Sequence, residues 1–203
     1  MTMLMMWLDE TSVALATDSK MTSTTNEVTK LHLFQPDKIM FGIGFGVGAF
    51  EWLVNCPCRK HPYPEHWRDC SNAKNLNELE RIIKDDLRNG NFPQDSSLEL
   101  WLAGINDQGI LEAFVLDGKG QRFKKLMPGE VYLNSTVIKV INRVSPQSEL
   151  KQRFYNLKKE LDDKQIKFSG AEALQKVANE VLDLCEKSKN SYIGGLLQYH
   201  VIF

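Results

Sequence analysis

Two segments decide the fold. The first is Thr2-Met3-Leu4-Met5-Met6-Trp7-Leu8, and the second, after the polar break at Asp9-Glu10, is Val13-Ala14-Leu15-Ala16-Thr17-Asp18-Ser19-Lys20-Met21-Thr22. Two short apolar runs joined by a tight polar connection read as a β-hairpin, and the absence of alternation predicts strands covered on both faces. Outward from the hairpin, Thr22 to Thr25 is a Ser/Thr loop, Lys30 to Phe34 a third strand, and Gln35-Pro36-Asp37 a turn before a fourth strand, Lys38 to Ile43. Leu98 to Ile105, Ile110 to Leu116 and Gln121 to Met127 make a meander with Gly-bearing turns. Leu76, Leu79, Ile82, Ile83 and Leu87 fall on one helical face, with Asn75 and Glu78 as a capping pair. A further helix carries Leu150, Phe154, Leu157 and Leu161. The last helix has Ser169 and Glu172 as its expected capping box, with Leu174, Val177, Val181, Leu182 and Cys185 inward. Tyr192 to Phe203 closes the chain as a strand after Gly194-Gly195. This order predicts an α+β protein in which sheets are covered by helices.

Composition narrows the function. The chain has 203 residues, 42% apolar and 25% charged, with 25 Lys+Arg against 26 Asp+Glu. A balanced charge argues against a nucleic-acid binder that works through a broad basic face, since phosphate neutralisation needs excess cations. The longest apolar run, Ile39 to Phe50, is too short to span a bilayer and is broken by Gly42, Gly44, Gly46 and Gly48. No membrane partner is expected, and no secretory signal is apparent. Four cysteines are too few for a disulfide scaffold, so a cytoplasmic protein is the expectation.

Thr2 follows the initiator Met1. With Met1 removed, a threonine would carry an α-amine and a hydroxyl on adjacent carbons. An α-amine titrates near ~8, well below lysine's ~10.4. One residue would then supply both nucleophile and general base. With Met1 retained, that amine is tied up in a peptide bond and the base is lost.

The hairpin with its Ala-Thr-Asp-Ser turn, the Thr29-Lys30-Leu31 step, Asp37-Lys38-Ile39, the Leu102-Ala103-Gly104-Ile105-Asn106 and Val115-Leu116-Asp117-Gly118-Lys119-Gly120 segments and Tyr192-Ile193-Gly194-Gly195 together resemble proteasome β subunits and the bacterial HslV-type peptidase. Sixteen positions separate Thr2 from Asp18, which fits that family's first hairpin without a gap. The resemblance implies a four-layer αββα sandwich of the Ntn-hydrolase type, formed as one domain over residues 1–203 with an insert at about 55–75. It implies a threonine-type peptidase that forms an acyl-enzyme ester on Thr2. Asp18 would orient the N-terminus, and Lys30 would place positive charge beside Thr2, favouring the developing alkoxide. A backbone N–H near Gly42-Ile43-Gly44-Phe45-Gly46 would serve the oxyanion, with Gly44 or the Phe45–Gly46 amides as the alternatives. A strand-to-helix turn packed on a sheet explains the same glycines. Ser135 corresponds to the family's Gly-Ser-Gly serine, and Asn190 and Ile193 stand where the family has Asp and Ser. The implied partners are a peptide or unfolded-protein substrate, further copies in a homo-oligomeric ring, and an ATPase unfoldase; no cofactor is implied. Two other activities fit the same residues: a catalytically silent structural or interaction subunit, and an amidase or peptide ligase using Thr2.

Cys56, Cys58, His61, His66 and Cys70 lie within fifteen residues. They include zinc-type ligands, but Cys-x-Cys is not the usual knuckle spacing, and Pro57, Pro62 and Pro64 already explain an irregular contact loop. No metal is therefore expected there. Cys185 reads as a core residue, and His32 and His200 as structural.

Overall fold

The structure, a computed structural model, describes residues 3–20, 30–35, 38–44, 72–89, 98–134, 147–189 and 193–203. It divides into two compact units, Met1–Leu31 with Leu126–Phe203, and His32–Lys125.

The first unit is built on the hairpin. Strand β1 (Leu4–Leu8) pairs antiparallel with β2 (Val13–Asp18), from Leu4 opposite Thr17 to Leu8 opposite Val13. The connection is tight because one side chain organises it. Asp9 Oδ1 accepts the N–H groups of Thr11 (2.8 Å) and Ser12 (2.6 Å), and the Asp9 N–H closes on the Ser12 carbonyl at 2.9 Å. Two strands flank the hairpin, β8 (Glu130–Leu133) beside β1 and β9 (Leu197–Ile202) beside β2, giving an antiparallel sheet in the order β8-β1-β2-β9. Strand β8 is absent from the sequence reading, because four residues of mixed polarity carry too little periodicity to stand out. Met3, Met5, Trp7, Ala14 and Ala16 face two helices, α2 (Gln147–Asp163) and α3 (Ser169–Lys187), and pack with Phe154, Leu174, Val177, Val181 and Cys185. On the opposite face Leu4, Met6, Leu8, Val13 and Leu15 are just as buried, as the unbroken apolar runs predict.

The second unit begins at His32, after the first residue of β3 (Leu31–Phe34), and carries β4 (Ile39–Gly44), β5 (Glu99–Ile105), β6 (Leu111–Asp117) and β7 (Arg122–Lys125) in a sheet ordered β3-β4-β5-β6-β7. Ladders β4–β5, β5–β6 and β6–β7 are antiparallel, so the expected meander is present. Helix α1 (Leu76–Arg88) lays Leu76, Leu79, Ile83 and Leu87 on Phe41, Leu100, Leu102 and Phe114.

The two expected helix caps have different outcomes. Asn75 Oδ1 accepts the Glu78 N–H at 2.9 Å, while Glu78 reaches back one residue further than a capping box requires, to the Lys74 N–H at 2.8 Å. Asn75→Ala is expected to cost about 1 kcal/mol in urea unfolding. The Ser169–Glu172 box does not form. Helix α3 is preceded by Phe168 at its N-cap with no side-chain cap, and Ser169 is already inside the helix. The short link from α2 brings Asp162 within reach, so the Ser169 hydroxyl donates to that carboxylate, and Glu172 pairs instead with Lys176 at 3.1 Å. A hydrogen bond to a full charge is stronger than one between neutral groups.

In the second unit Arg122 grips Glu80 through two N–H groups, lies over the Phe114 ring at 3.8 Å, and shares Glu80 with Lys84. Burial alone would push the Glu80 carboxyl up, but the Arg122 and Lys84 contacts together hold it below its ordinary value of 4.5. A depressed folded-state value means stability that is present above pH 4.5 and lost as pH falls through the lower folded value. Thermal melts across the acid range are expected to show wild type more stable than Glu80→Gln at neutral pH, with the gap closing below about pH 4.5.

Candidate functional site

Asp18 ends β2, and its last ladder partner is Leu197. Past that rung the two chains stay joined: Ser19 N–H meets the Leu196 carbonyl, Lys20 N–H meets the Gly194 carbonyl, both at 3.0 Å, and the Leu196 N–H donates to Ser19 Oγ at 2.7 Å. The β9 side accommodates this through Gly195, whose φ of +76° suits glycine far better than any L side chain. The Gly194-Gly195 pair noted before the last strand therefore has a definite use, presenting the Gly194 N–H to Asp18 Oδ2 at 3.3 Å.

The other carboxylate oxygen holds two donors. Asp18 Oδ1 accepts the Met3 N–H at 2.8 Å and the Lys30 ammonium at 3.0 Å. Lys30 sits immediately before β3 with its side chain 1% exposed, and Asp18 is fully buried. Lys30 Nζ donates a second hydrogen bond to the Lys20 carbonyl at 2.7 Å. Two of its three N–H bonds are thus used, and the third meets no acceptor among the described residues. Burial pushes the Asp18 carboxyl up and the Lys30 ammonium down, and each charge partly offsets that displacement in the other. A lysine held in this state is a compact cation whose proton affinity has been lowered by its surroundings.

Two residues that sequence reading missed complete the surroundings. Asn134 extends the ladder beyond β8: its N–H donates to the Leu4 carbonyl at 3.0 Å, and its Oδ1 accepts the Leu4 N–H at 3.4 Å. Gln198 Oε1 accepts the N–H groups of both Lys30 (2.8 Å) and Leu31 (3.0 Å). Neither carries a local signal, since both partnerships span more than one hundred and twenty residues of sequence.

Of the expected site residues, Asp18 and Lys30 are brought together. Gly44 is the last residue of β4, opposite Glu99, in the second unit. Thr2, Gly46, Ser135 and Asn190 lie outside the described residues, as do Cys56, Cys58, His61, His66 and Cys70. Ile193 is buried in the first unit's core. Among the described residues no three His, Cys, Asp or Glu side chains converge as metal ligands. Cys185 is the expected core residue, 1% exposed, and burial pushes its thiol up to about 11.

The fold has counterparts among solved structures. The chain is similar in fold to Anbu. The matches include Anbu from Hyphomicrobium sp. strain MC1 (TM-score 0.61, 12% identity) and a Gly-1 mutant of Anbu from that strain (TM-score 0.61, 13% identity). Anbu from Yersinia bercovieri, described as an ancestral beta-subunit, matches with TM-score 0.57 and 14% identity. Each alignment covers 98% of this chain and 81% of the other. No family model and no curated protein matches the sequence. The expected fold class is present as an α+β chain whose two units each carry a largely antiparallel sheet and at least one helix, and these neighbours share the fold. The assignment to proteasome β subunits and the HslV-type peptidase is corrected, because the matching structures are Anbu proteins, a distinct family. The physical reason is that one fold serves many families, so a buried hairpin, an aspartate at its end and a lysine before the next strand point to an architecture and not to a family. At 12–14% identity they do not separate families that share it. Among the described residues no helix is long and apolar enough to cross a membrane.

Proposed function

We propose that this chain is an N-terminal nucleophile hydrolase that cleaves peptide bonds from Thr2 once Met1 has been removed. The observation that carries the reading is the buried Asp18–Lys30 pair, whose shared oxygen also holds the Met3 N–H. That nitrogen is bonded to the Thr2 carbonyl carbon, so the carboxylate is anchored one residue from the proposed nucleophile. The third Lys30 N–H suits a developing alkoxide, which a compact cation in a dry site stabilises far more than it would in water.

In the proposed reaction the Thr2 hydroxyl oxygen attacks the substrate carbonyl while its proton passes to the neutral α-amine. A backbone N–H receives the oxyanion. The tetrahedral adduct collapses, the C–N bond breaks, and the leaving amine takes the proton from the α-ammonium. Water, deprotonated by the same amine, then adds to the ester and releases the acid with Thr2 restored. Ser135 and Asn190 are proposed as further polar groups around that amine. Peptides or unfolded proteins are the proposed substrates and cytoplasm the proposed compartment. The description of one neighbour as a beta-subunit supports assembly with further copies of the chain.

The test is intact mass followed by labelling with an epoxyketone or β-lactone. The expected result is a protein lighter by one methionine residue that gains a single probe adduct on the peptide beginning at Thr2. A full-length protein that takes no probe overturns the proposal in favour of a silent subunit. An adduct whose ester is intercepted by amines faster than by water redirects it to a ligase.

A further inference from the structure

Gln198 is the residue whose place is least explained by the sheet it belongs to. It lies on β9 opposite Thr17, and its neighbours Leu197, Tyr199 and Val201 pack on the helix-covered core. Strand alternation turns Gln198 to the other face. There its Oε1 takes two consecutive backbone N–H groups, from Lys30 at 2.8 Å and Leu31 at 3.0 Å. Consecutive amides of an extended strand point in opposite directions, so a single oxygen serving both requires the chain to turn at Lys30. Both amides are buried with their residues, and a buried N–H without an acceptor is strongly disfavoured. The lysine stem leaves from that turn, and its ammonium reaches Asp18 Oδ1 and the Lys20 carbonyl.

We infer that Gln198 is a positioning residue: its side-chain oxygen fixes the backbone at Lys30–Leu31 and so aims the Lys30 ammonium at the Asp18 carboxylate. It rests on the hydrolase reading only for its effect on catalysis, since the geometry stands without Thr2. Only an acceptor at the glutamine's distance does this. Asparagine withdraws the oxygen by one methylene, methionine keeps the length without a strong acceptor, and glutamate keeps both the length and the acceptor.

The experiment compares Gln198→Met, Gln198→Asn and Gln198→Glu by three readouts: amide hydrogen exchange at Lys30 and Leu31, the NMR titration of the Lys30 ε-methylene, and β-lactone inactivation rate. In the Met and Asn variants both amides are expected to exchange at least tenfold faster while β1 and β2 stay protected. The Lys30 midpoint is expected to move up towards that of a solvated lysine, and inactivation to slow about a hundredfold, the scale of a 1 Å misplacement. Glu is expected to restore slow exchange and most of the rate. Should Met prevent folding, the Asn and Glu pair decides alone. Unchanged exchange and an unchanged Lys30 midpoint in Asn overturn the inference, as does failure of Glu to rescue. If wild type takes no probe, the hydrolase reading fails while exchange and titration still judge Gln198.

Discussion

Lys30→Met is expected to lower the free energy of unfolding by about 3–5 kcal/mol and to slow labelling at Thr2 by about a hundredfold or more. The stability loss comes less from the lost attraction than from what remains. Asp18 is fully buried, and without the ammonium only the N–H groups of Met3 and Gly194, among the described residues, face its carboxylate. Burial already pushes that carboxyl up with the lysine present. Removing the opposing charge moves it further, so the variant must either hold an uncompensated anion or take up a proton. A second change separates structure from chemistry. Lys30→Met with Asp18→Leu removes both partners, and replacing a buried pair by apolar groups of similar volume is often nearly neutral. The double variant is therefore expected to recover most of the stability in urea unfolding while labelling stays lost. Recovery of labelling along with stability would mean that the pair serves the fold alone.

Gly170→Val is expected to cost about 3 kcal/mol or more, at the upper end for overpacking. A Cβ at Gly170 would lie 2.3 Å from Trp7 Cε2 and Nε1 and 2.6 Å from Cζ2, closer than atoms approach without something moving. The indole has little freedom to yield. Its Nε1–H donates to Asp9 Oδ2 at 3.1 Å, and its ring centre lies 5.0 Å from that of Phe154. The first turn of α3 must then lift away from β1, opening the contact that also seats Ala171 and Leu174. Thermal melting with near-ultraviolet dichroism checks this, since the tryptophan signal should flatten before the helical signal is lost. Combining Gly170→Val with Trp7→Phe is expected to regain part of the loss, because residues in contact do not contribute additively. Full additivity would contradict the clash.

The hairpin was legible because nothing else explains two unbroken apolar runs with a four-residue polar link, and helices α1, α2 and α3 because their apolar stripes recur at helical spacing. Asp18 and Lys30 were indicated by the family resemblance, which carries their roles over by position in and after the hairpin. What stayed hidden has a common cause. Asn134 and Gln198 act through partners far away in the chain, so no window of neighbouring residues reveals them. Ser169 misled for the opposite reason: its local pattern was right for a cap, and Asp162, delivered by the preceding helix, offered a stronger acceptor. Family assignment was the most exposed inference, since a shared architecture at 12–14% identity preserves the scaffold and little else.

The sheet order β8-β1-β2-β9 also bears on biosynthesis. The hairpin is made first, yet the strands that cover its two edges come from residues 130–133 and 197–202. A nascent chain therefore carries Leu4, Met6 and Leu15 with open hydrogen-bonding edges until the ribosome has nearly finished that last strand. Such late, long-range closure is slow and leaves adhesive surface available to other chains. Yield from expression should accordingly respond more to chaperone supply and growth temperature than to mutations on the exposed faces of α2.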